Sequence, residues 1–428
     1  MKKNFVEELS WREMIHDIIP GTKEQLHKET TSGYIGFDPT SDSLHIGNLV
    51  QIMTLVHFQK CGHKPIVLVG GATGMVGDPS GKSSERSLLS LELLHHNVEC
   101  LKKQTSNFLD FSNNETGAEL VNNFDWFKNF TFLEFLREVG KHLSVNYMLS
   151  KDSVKNRLET GLSFAEFSYQ LVQGYDFYWL FKNKNCKLQM GGSDQWGNIV
   201  SGTELIRRKA NEEAFAITTP LITKADGVKF GKSGTGNVWL DPQKTTPFEF
   251  YQYWLNVSDE DSIKLIKILT LMSKDEIDSL IVEHQSAPHK RILQKQLGKE
   301  ITIMVHQKQA YDLAIKASNI LFGDSTTEDL CSLDETTLLT VLDGVPQSDI
   351  SRSSYDSVST VVELLSETTK GVIFPSKGEA RRKIIEGAVS INKMKVLDPL
   401  QEPKFNLLQD RYLLVQKGKK NYYLINVE

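Results

Sequence analysis

A chain of 428 residues, 39% hydrophobic and 24% charged, is too long for one ordinary core and has the composition of a globular protein, so two or three domains are expected. Four scattered cysteines (Cys61, Cys100, Cys186 and Cys331) without a CxxC pair argue against a disulfide framework or a zinc site, and no apolar run has the length of a membrane span. The net charge of −5 argues against indiscriminate nucleic-acid binding, yet residues 352–428 hold 13 Lys and Arg against 9 Asp and Glu, a net of +4. A basic tail on an acidic body is expected to mark one local polyanion site, the alternative being ordinary surface variation. The N-terminus lacks the apolar core of a signal peptide, which gives a cytoplasmic expectation.

Residues 5–30 read as a helix, a turn at Pro20–Gly21 and a second helical piece. Tyr34–Phe37 reads as a short strand, and Leu49–Cys61 as a helix. His45 and Gly47 therefore fall at a strand-to-helix junction, where free backbone N–H groups and the helix dipole favour a phosphate. Tyr34, by default a core aromatic, stands four residues before Asp38 and is placed near a pocket mouth. Pro65–Val69 is a β-type run followed by a glycine-rich stretch, residues 70–83. It is not a P-loop, because Val76 stands where the pattern needs glycine, and the spacing fits no dinucleotide fingerprint. What remains is a turn with Asp78, suited to an ammonium, and Lys82 and Arg86, suited to a leaving pyrophosphate; the alternative is a solvated loop.

Residues 91–160 mix helix and loop and are rich in phenylalanine. They read as an insertion, about 108–160, between the halves of a parallel α/β sheet, suited to a subunit contact or equally to buried core. Phe164–Leu180 reads as a helix with Tyr169, Gln173 and Asp176 at i, i+4 and i+7 on one face, a polar pocket wall. Cys186–Met190 reads as a strand leading to a Gly-Gly-Ser-Asp-Gln-Trp run and a helix, with Ser193 or Asp194 as the N-cap and Asp194 able to accept from ribose hydroxyls. Residues 223–237 form a glycine-rich stretch bearing Lys229 and Lys232, expected to be a mobile loop that closes on polyphosphate.

Downstream, 258–323 is helical, with a capping box at Ser273–Glu276 and a break at Pro288. Residues 324–359, rich in Ser, Thr, Asp and Gly, read as a linker with weak local structure. A basic helix then presents Arg381, Arg382 and Lys383, ends at Gly387 and leads to a strand at Val389–Ile391. With Lys377, Lys393 and Lys395 nearby it reads as a phosphate-backbone binder, the alternative being a solvated face.

Thr40–Asn48 resembles the HIGH signature, and Lys229–Ser233 the KMSKS signature, of the class I aminoacyl-tRNA synthetases. Asp78, the Tyr169/Gln173/Asp176 stripe and the Gly191–Trp196 run are similar to the bacterial-type tyrosyl family, in order along essentially the whole chain. Two departures are visible. Asn48 stands where the first signature often has a second histidine, and the second signature is loose but keeps both lysines.

The resemblance implies a Rossmann-like, doubly wound parallel α/β sheet with an insertion in a catalytic domain, 1–247. An α-helical anticodon-side domain (248–323), a linker (324–351) and an S4-like α+β RNA-binding module (352–428) are implied after it. It implies activation of tyrosine by ATP with Mg²⁺, transfer to tRNA(Tyr), a homodimer, no structural metal, and no DNA or membrane partner. Thr40, His45, Lys82, Arg86, Lys229 and Lys232 would neutralise charge on the reacting phosphates. Tyr34 and Asp176 would bond the substrate phenol; Asp78, Tyr169 and Gln173 would hold its ammonium, with Gln189 and Gln195 beside them. Asp38, Gly47, Asn48, Gly192, Asp194 and Lys232 would meet the nucleotide. A tryptophanyl relative is disfavoured by the Tyr34/Asp176 pair and the S4-like tail. An RNA-binding protein on a retired scaffold would have eroded signatures, whereas His45, Lys229 and Lys232 are intact. A small nucleotidyltransferase would have no use for the C-terminal half.

Overall fold

The apolar runs on either side of the first signature become the middle of a six-stranded sheet. Its strands are β1 (Asp17–Ile18), β2 (Ser32–Phe37), β3 (Lys64–Val69), β4 (Glu119–Asn122), β5 (Cys186–Gly192) and β6 (Phe215–Thr219). The order is β1-β6-β5-β2-β3-β4, parallel throughout except for β1 against β6. Pro65–Val69 is buried at every position, the mark of a strand covered on both faces. The chain runs outward from β2 to β4, then resumes on the other side of β2 at β5. The order therefore reverses between β2 and β5, and a crevice opens at their carboxyl ends. The structure is a computed structural model and describes residues 4–80, 89–158, 161–223, 230, 232–233, 236–322, 326–342, 344–418 and 421–428.

By its contacts the chain divides into two units, Met1–Lys244 with Leu255–Ile301, and Thr245–Trp254 with Thr302–Glu428. The helices expected as one domain at 248–323 are thus shared between the two. A buried arginine accounts for part of this. Arg12, 1% exposed, donates to the carbonyls of Lys267, Thr270 and Met272 at 2.6–2.8 Å. It thereby satisfies carbonyls at the end of helix Asp259–Leu269, which would otherwise lack partners. That helix and helix Phe5–Trp11 both pack on helix Leu49–Lys60, which is buried almost all round.

Helix Phe164–Lys184 carries the polar stripe, and its start is tightly specified. Ser163 and Glu166 form a reciprocal capping box, and buried Arg157 pairs with Glu166 at 2.8 Å. Asn185, in the left-handed region at φ 49°, ends it. The insertion expected at 108–160 is not wholly outside the sheet, because it contains edge strand β4. Neither Ser193 nor Asp194 is the N-cap: Gly192 precedes a short 3-10 turn, Ser193–Gln195, and Gln195 precedes helix Trp196–Ala210, with no side-chain cap at either. In the second signature, β7 (Lys232–Ser233) pairs with β8 (Gly236–Asn237).

The C-terminal unit is built on a second sheet of β9 (Gln347–Ile350), β10 (Val389–Ile391), β11 (Met394–Lys395), β12 (Tyr412–Lys417) and β13 (Asn421–Val427). Its order is β11-β10-β12-β13-β9. Along β12, Leu413 and Val415 face a core with Val361, Phe374 and Ile384, while Tyr412 and Leu414 face another with Leu321, Leu338 and Leu342. A strand with both faces covered needs elements on each side. Residues 324–351, expected as a weakly structured linker, supply part of one side: helices Thr327–Cys331 and Glu335–Val341 contribute Leu330 and Leu338, and β9 joins the sheet. The local composition favoured a linker, but its few leucines are buried in this core. Among the described residues no helix is long and apolar enough to cross a membrane.

Candidate active site

Two polar clusters occupy the crevice. In the first, Asp38, just past β2, accepts from Thr73 Oγ1 at 2.7 Å and from Tyr169 OH at 2.9 Å. Two turns beyond Tyr169, Asp176 is 1% exposed and accepts from Asn123 Nδ2 at 3.0 Å and Trp126 Nε1 at 2.8 Å. Asn123 also donates to Thr73 Oγ1, and Trp126 is stacked on Trp179 with ring centroids 4.2 Å apart. In the second cluster, buried Asp78 accepts from the Ser80 N–H at 2.9 Å and Gln195 Nε2 at 2.7 Å. Asn198 Nδ2 lies 3.1 Å from Gln173 Oε1 and 3.4 Å from Asp78, which joins Gln173 to the same network. Tyr169 and Asp176 thus belong to the first cluster and Gln173 to the second, all three from one helix.

Burial dominates the electrostatics of the first cluster. Burial pushes the Asp176 carboxyl up to about 8, against the lowering effect of its two donors. Burial also raises the phenols of Tyr34, with Asp176 adding to it, and of Tyr169, with Asp38 adding to it. No described Lys or Arg pairs with Asp78 or Asp176. Tyr34 OH and Gln189 Oε1 are buried without a hydrogen-bond partner among the described residues. Buried polar atoms in folded proteins are nearly always satisfied, so these two leave bonding capacity inside the crevice.

The first signature sits at the mouth of the crevice. His45 Nδ1 accepts from the Gly47 N–H, and the His45 N–H donates to Asn48 Oδ1, both at 3.0 Å. Asn48, the departure from the signature, thus closes a reciprocal box around the 3-10 turn Ile46–Asn48. With Nδ1 accepting, the imidazole proton is on Nε2. A Cβ on Gly47 would come within 2.7 Å of the His45 ring, so only glycine fits there. Thr40 is exposed, its N–H bonded to Asp38 O. Gly192 ends β5 and Asp194 is half-buried in the turn after it. Lys82, Arg86 and Lys229 lie outside the described residues, as does the side chain of Lys232.

Several side chains in the crevice were not expected. Asn123, Trp126, Thr73 and Asn198 hold the aspartates. Gln51 donates to Thr219 Oγ1 at 3.0 Å beside Gly192 and keeps Oε1 buried without a partner among the described residues. As the one amide in the Leu49–Phe58 run, whose other polar residues are Thr54 and His57, Gln51 had an available signal. For Asn123 and Trp126, inside an aromatic-rich stretch, there was none.

On the basic helix of the C-terminal unit, Lys377–Ile385, Arg381 and Arg382 are exposed. Lys377 pairs with Glu367, and Lys383 with Glu386. Two lysines expected on this face are engaged with backbone carbonyls. Lys393 donates to Leu321 O at 2.6 Å over the Tyr422 ring, and burial lowers its pKa; exposed Lys395 donates to Gly387 O.

A family model of class I tRNA synthetases (W and Y) matches residues 26–323, and one of the tyrosine–tRNA ligase SYY-like C-terminal domain matches 338–425. The chain is 62% identical over 423 residues to a tyrosine–tRNA ligase of Cytophaga hutchinsonii and 60% identical over 431 residues to one of Porphyromonas gingivalis. At least 99% of each chain is covered in both cases. Among solved structures, a C-terminally truncated mitochondrial tyrosyl-tRNA synthetase of Aspergillus nidulans matches at a TM-score of 0.67 and 31% identity, over 75% of this chain and 94% of that one. With both family models and full-length relatives of this kind, the chain belongs to the class I tRNA synthetases and, within them, to the tyrosine–tRNA ligases.

Proposed function

We propose that the protein activates L-tyrosine with ATP and transfers it to tRNA(Tyr). The observation that carries the tyrosine end is the pair of buried aspartates without a described cationic partner, beside the unpartnered Tyr34 hydroxyl. Asp78, Tyr169 and Gln173 hold the substrate ammonium, with Gln189 and Gln195 lining the same pocket. Tyr34 and Asp176 meet the substrate phenol, and Trp126 and Asn123 fix the Asp176 carboxyl. Phenylalanine would leave these groups desolvated and unpaired.

In the first step a carboxylate oxygen of tyrosine attacks the α-phosphorus of ATP, and pyrophosphate leaves with the bonding pair. The nucleophile is already ionised at neutral pH, so the protein supplies orientation and charge neutralisation rather than a base. Thr40, His45 through Nε2–H, Lys82, Arg86, Lys229 and Lys232 serve that purpose. Asp38, Gly47, Asn48, Gly192 and Asp194 seat the nucleoside end. Mg²⁺ enters on the ATP phosphates; among the described residues no group of three His, Cys, Asp or Glu could hold a metal ion. In the second step a terminal ribose hydroxyl of tRNA attacks the tyrosyl carbonyl and AMP leaves. The sheet unit at the C-terminus, through Arg381, Arg382, Lys383 and Lys377, binds the tRNA backbone. Solution in the cytoplasm is the corresponding location.

A homodimer is part of the reading. Phe132, Leu133 and Phe164, exposed by 62, 75 and 68%, are apolar side chains that a subunit contact would cover. Leu133→Asp should shift sedimentation toward the monomer, and an unchanged sedimentation coefficient would count against this face. The test of the activity is exchange of labelled pyrophosphate into ATP with tyrosine, phenylalanine or tryptophan, with Lys232→Ala alongside. Exchange with tyrosine only, sharply reduced in the variant, is expected. No exchange from folded protein would overturn the reading.

A further inference from the structure

The loop between β2 and helix Leu49–Lys60 has eleven residues, and the proposed phosphate groups Thr40 and His45 stand on it. Such a loop holds few bonds of its own: the Thr40–Asp38 turn, the His45/Asn48 box, a Ser41–Asp42 contact and a Ser43–Leu44 bond. Its position is set from outside, and much of that comes from one helix, Leu91–Thr105. Gln104 bonds the loop in both directions. Its Oε1 accepts from the Leu44 N–H at 2.8 Å and its Nε2 donates to Ser43 Oγ at 2.9 Å. Ser43, 4% exposed, in turn donates to Leu44 O. Two turns earlier, Asn97, 1% exposed, donates from Nδ2 to Pro39 O at 3.0 Å.

These bonds bracket the reactive residues. Asn97 grips the residue before Thr40, and Gln104 grips the residue before His45. The far side of the loop is held by Ile46 N–H to Val238 O and Leu240 N–H to Leu44 O, by an ion pair of Asp42 with Lys244, and by the edge-on packing of His45 against Trp239. Leu44 is thus bonded from both sides, to Gln104 through its N–H and to Leu240 through its carbonyl. Neither Asn97 nor Gln104 touches Tyr34, Asp78, Tyr169, Gln173 or Asp176 in any hydrogen bond described.

We infer that Gln104 and Asn97 are positioning residues for the phosphate-binding loop, setting the placement of Thr40 and His45 without meeting the substrate. The inference rests on the proposed use of Thr40 and His45 toward ATP. A displacement of a reacting group by about 1 Å can cost on the order of a hundredfold in rate, whereas the desolvation cost of leaving a partner of the lost amide unsatisfied appears in thermal unfolding and not selectively in KM for ATP. The two readouts therefore separate.

The experiment compares wild type with Gln104→Met, Gln104→Glu, Asn97→Ala and, as a helix control, Glu99→Ala. Glu99 is exposed and pairs only with Lys102 among the described residues. Tyrosine-dependent pyrophosphate exchange gives KM for ATP and for tyrosine separately, and thermal unfolding reports the fold. Gln104→Met should lower kcat/KM for ATP by about tenfold or more, with KM for tyrosine unchanged within about twofold. Gln104→Glu keeps the acceptor for Leu44 N–H and should recover part of the loss. Asn97→Ala should resemble Gln104→Met, and Glu99→Ala should match wild type. Wild-type values for ATP in folded Gln104→Met, or equal losses toward ATP and tyrosine, would overturn the inference while leaving the activity in place. Absence of exchange in the wild type would instead overturn the functional reading and this inference with it.

Discussion

In the crevice, Asp78 and Asp176 are almost wholly buried and held by neutral donors, each placed by a different element. On the C-terminal basic helix, Arg381 and Arg382 stand in solvent, with Glu386 3.8 Å from Arg382. The difference is one of dielectric. A carboxyl taken out of water must have its partners in place beforehand, because an unsatisfied group there bears the full cost of desolvation. An exposed guanidinium needs no such arrangement; its contribution is modest, screened by salt and nearly additive with its neighbours. The pocket should therefore respond to single substitutions with large, specific losses, and the basic face with small, general ones.

The largest effect that would sharpen this contrast is at Asp176. Asp176→Ala should lower kcat/KM for tyrosine by on the order of 10²- to 10³-fold and erode the preference over phenylalanine, measured by pyrophosphate exchange with both amino acids. Loss of a few fold only would break the comparison. Next is the support for that carboxyl. Trp126→Phe removes one donor while keeping the stack on Trp179, and should weaken tyrosine binding by about tenfold. Equilibrium dialysis would show it, and no change would mean the indole N–H is dispensable.

A third effect appears in pH dependence. Asp176 keeps its proton up to about 8 in the folded protein, while an unfolded aspartate releases it near about pH 4. The stability this proton brings is therefore complete below about pH 4 and is lost as the pH rises through about 8. Asp176→Asn should lack that loss, so the stability of wild type relative to the variant should fall between about pH 5 and pH 9 in urea unfolding. A difference independent of pH would mean that Asp176 is ionised throughout.

The smallest effects belong to the basic face. Replacing Arg381 and Arg382 together by Ala should leave pyrophosphate exchange unchanged, raise KM for tRNA several-fold, and reduce the salt slope of tRNA binding by about one to two. Lys393→Ala should leave that slope unaltered and cost only about 1 kcal/mol of stability, because its ammonium is engaged with Leu321 O and Tyr422. A changed slope in Lys393→Ala would return this lysine to the RNA face.

Local pattern was enough for the elements that build the crevice. The strand before Asp38, the helix after Asn48 and the stripe Tyr169/Gln173/Asp176 all follow from periodicity and cap chemistry within one segment. It was not enough where a side chain acts across the chain. Asn123 and Trp126 sit in what read as an insertion, and nothing near them in sequence points to Asp176, some fifty residues on. Residues 324–351 read as a linker because their composition is polar, yet a handful of leucines there cover one face of a sheet most of whose strands lie far downstream. Lys393 read as a surface charge, and only the fold shows its ammonium over Tyr422 and bonded to Leu321 O.

The sequence by itself determined the family, the α/β class of the catalytic half, the two signatures and the residue types that suit tyrosine and ATP, because these are carried by short stretches with fixed spacing. The tertiary structure decided which donors hold Asp176 and Asp78, that Asn48 closes a box with His45, that Arg12 keeps Leu255–Ile301 with the catalytic sheet, and that Gln104 and Asn97 grip the loop bearing Thr40 and His45. Each of these is a hydrogen bond satisfied inside the fold. Most of them join residues tens or hundreds of positions apart, and such pairings follow from the path of the backbone, which no local spacing encodes.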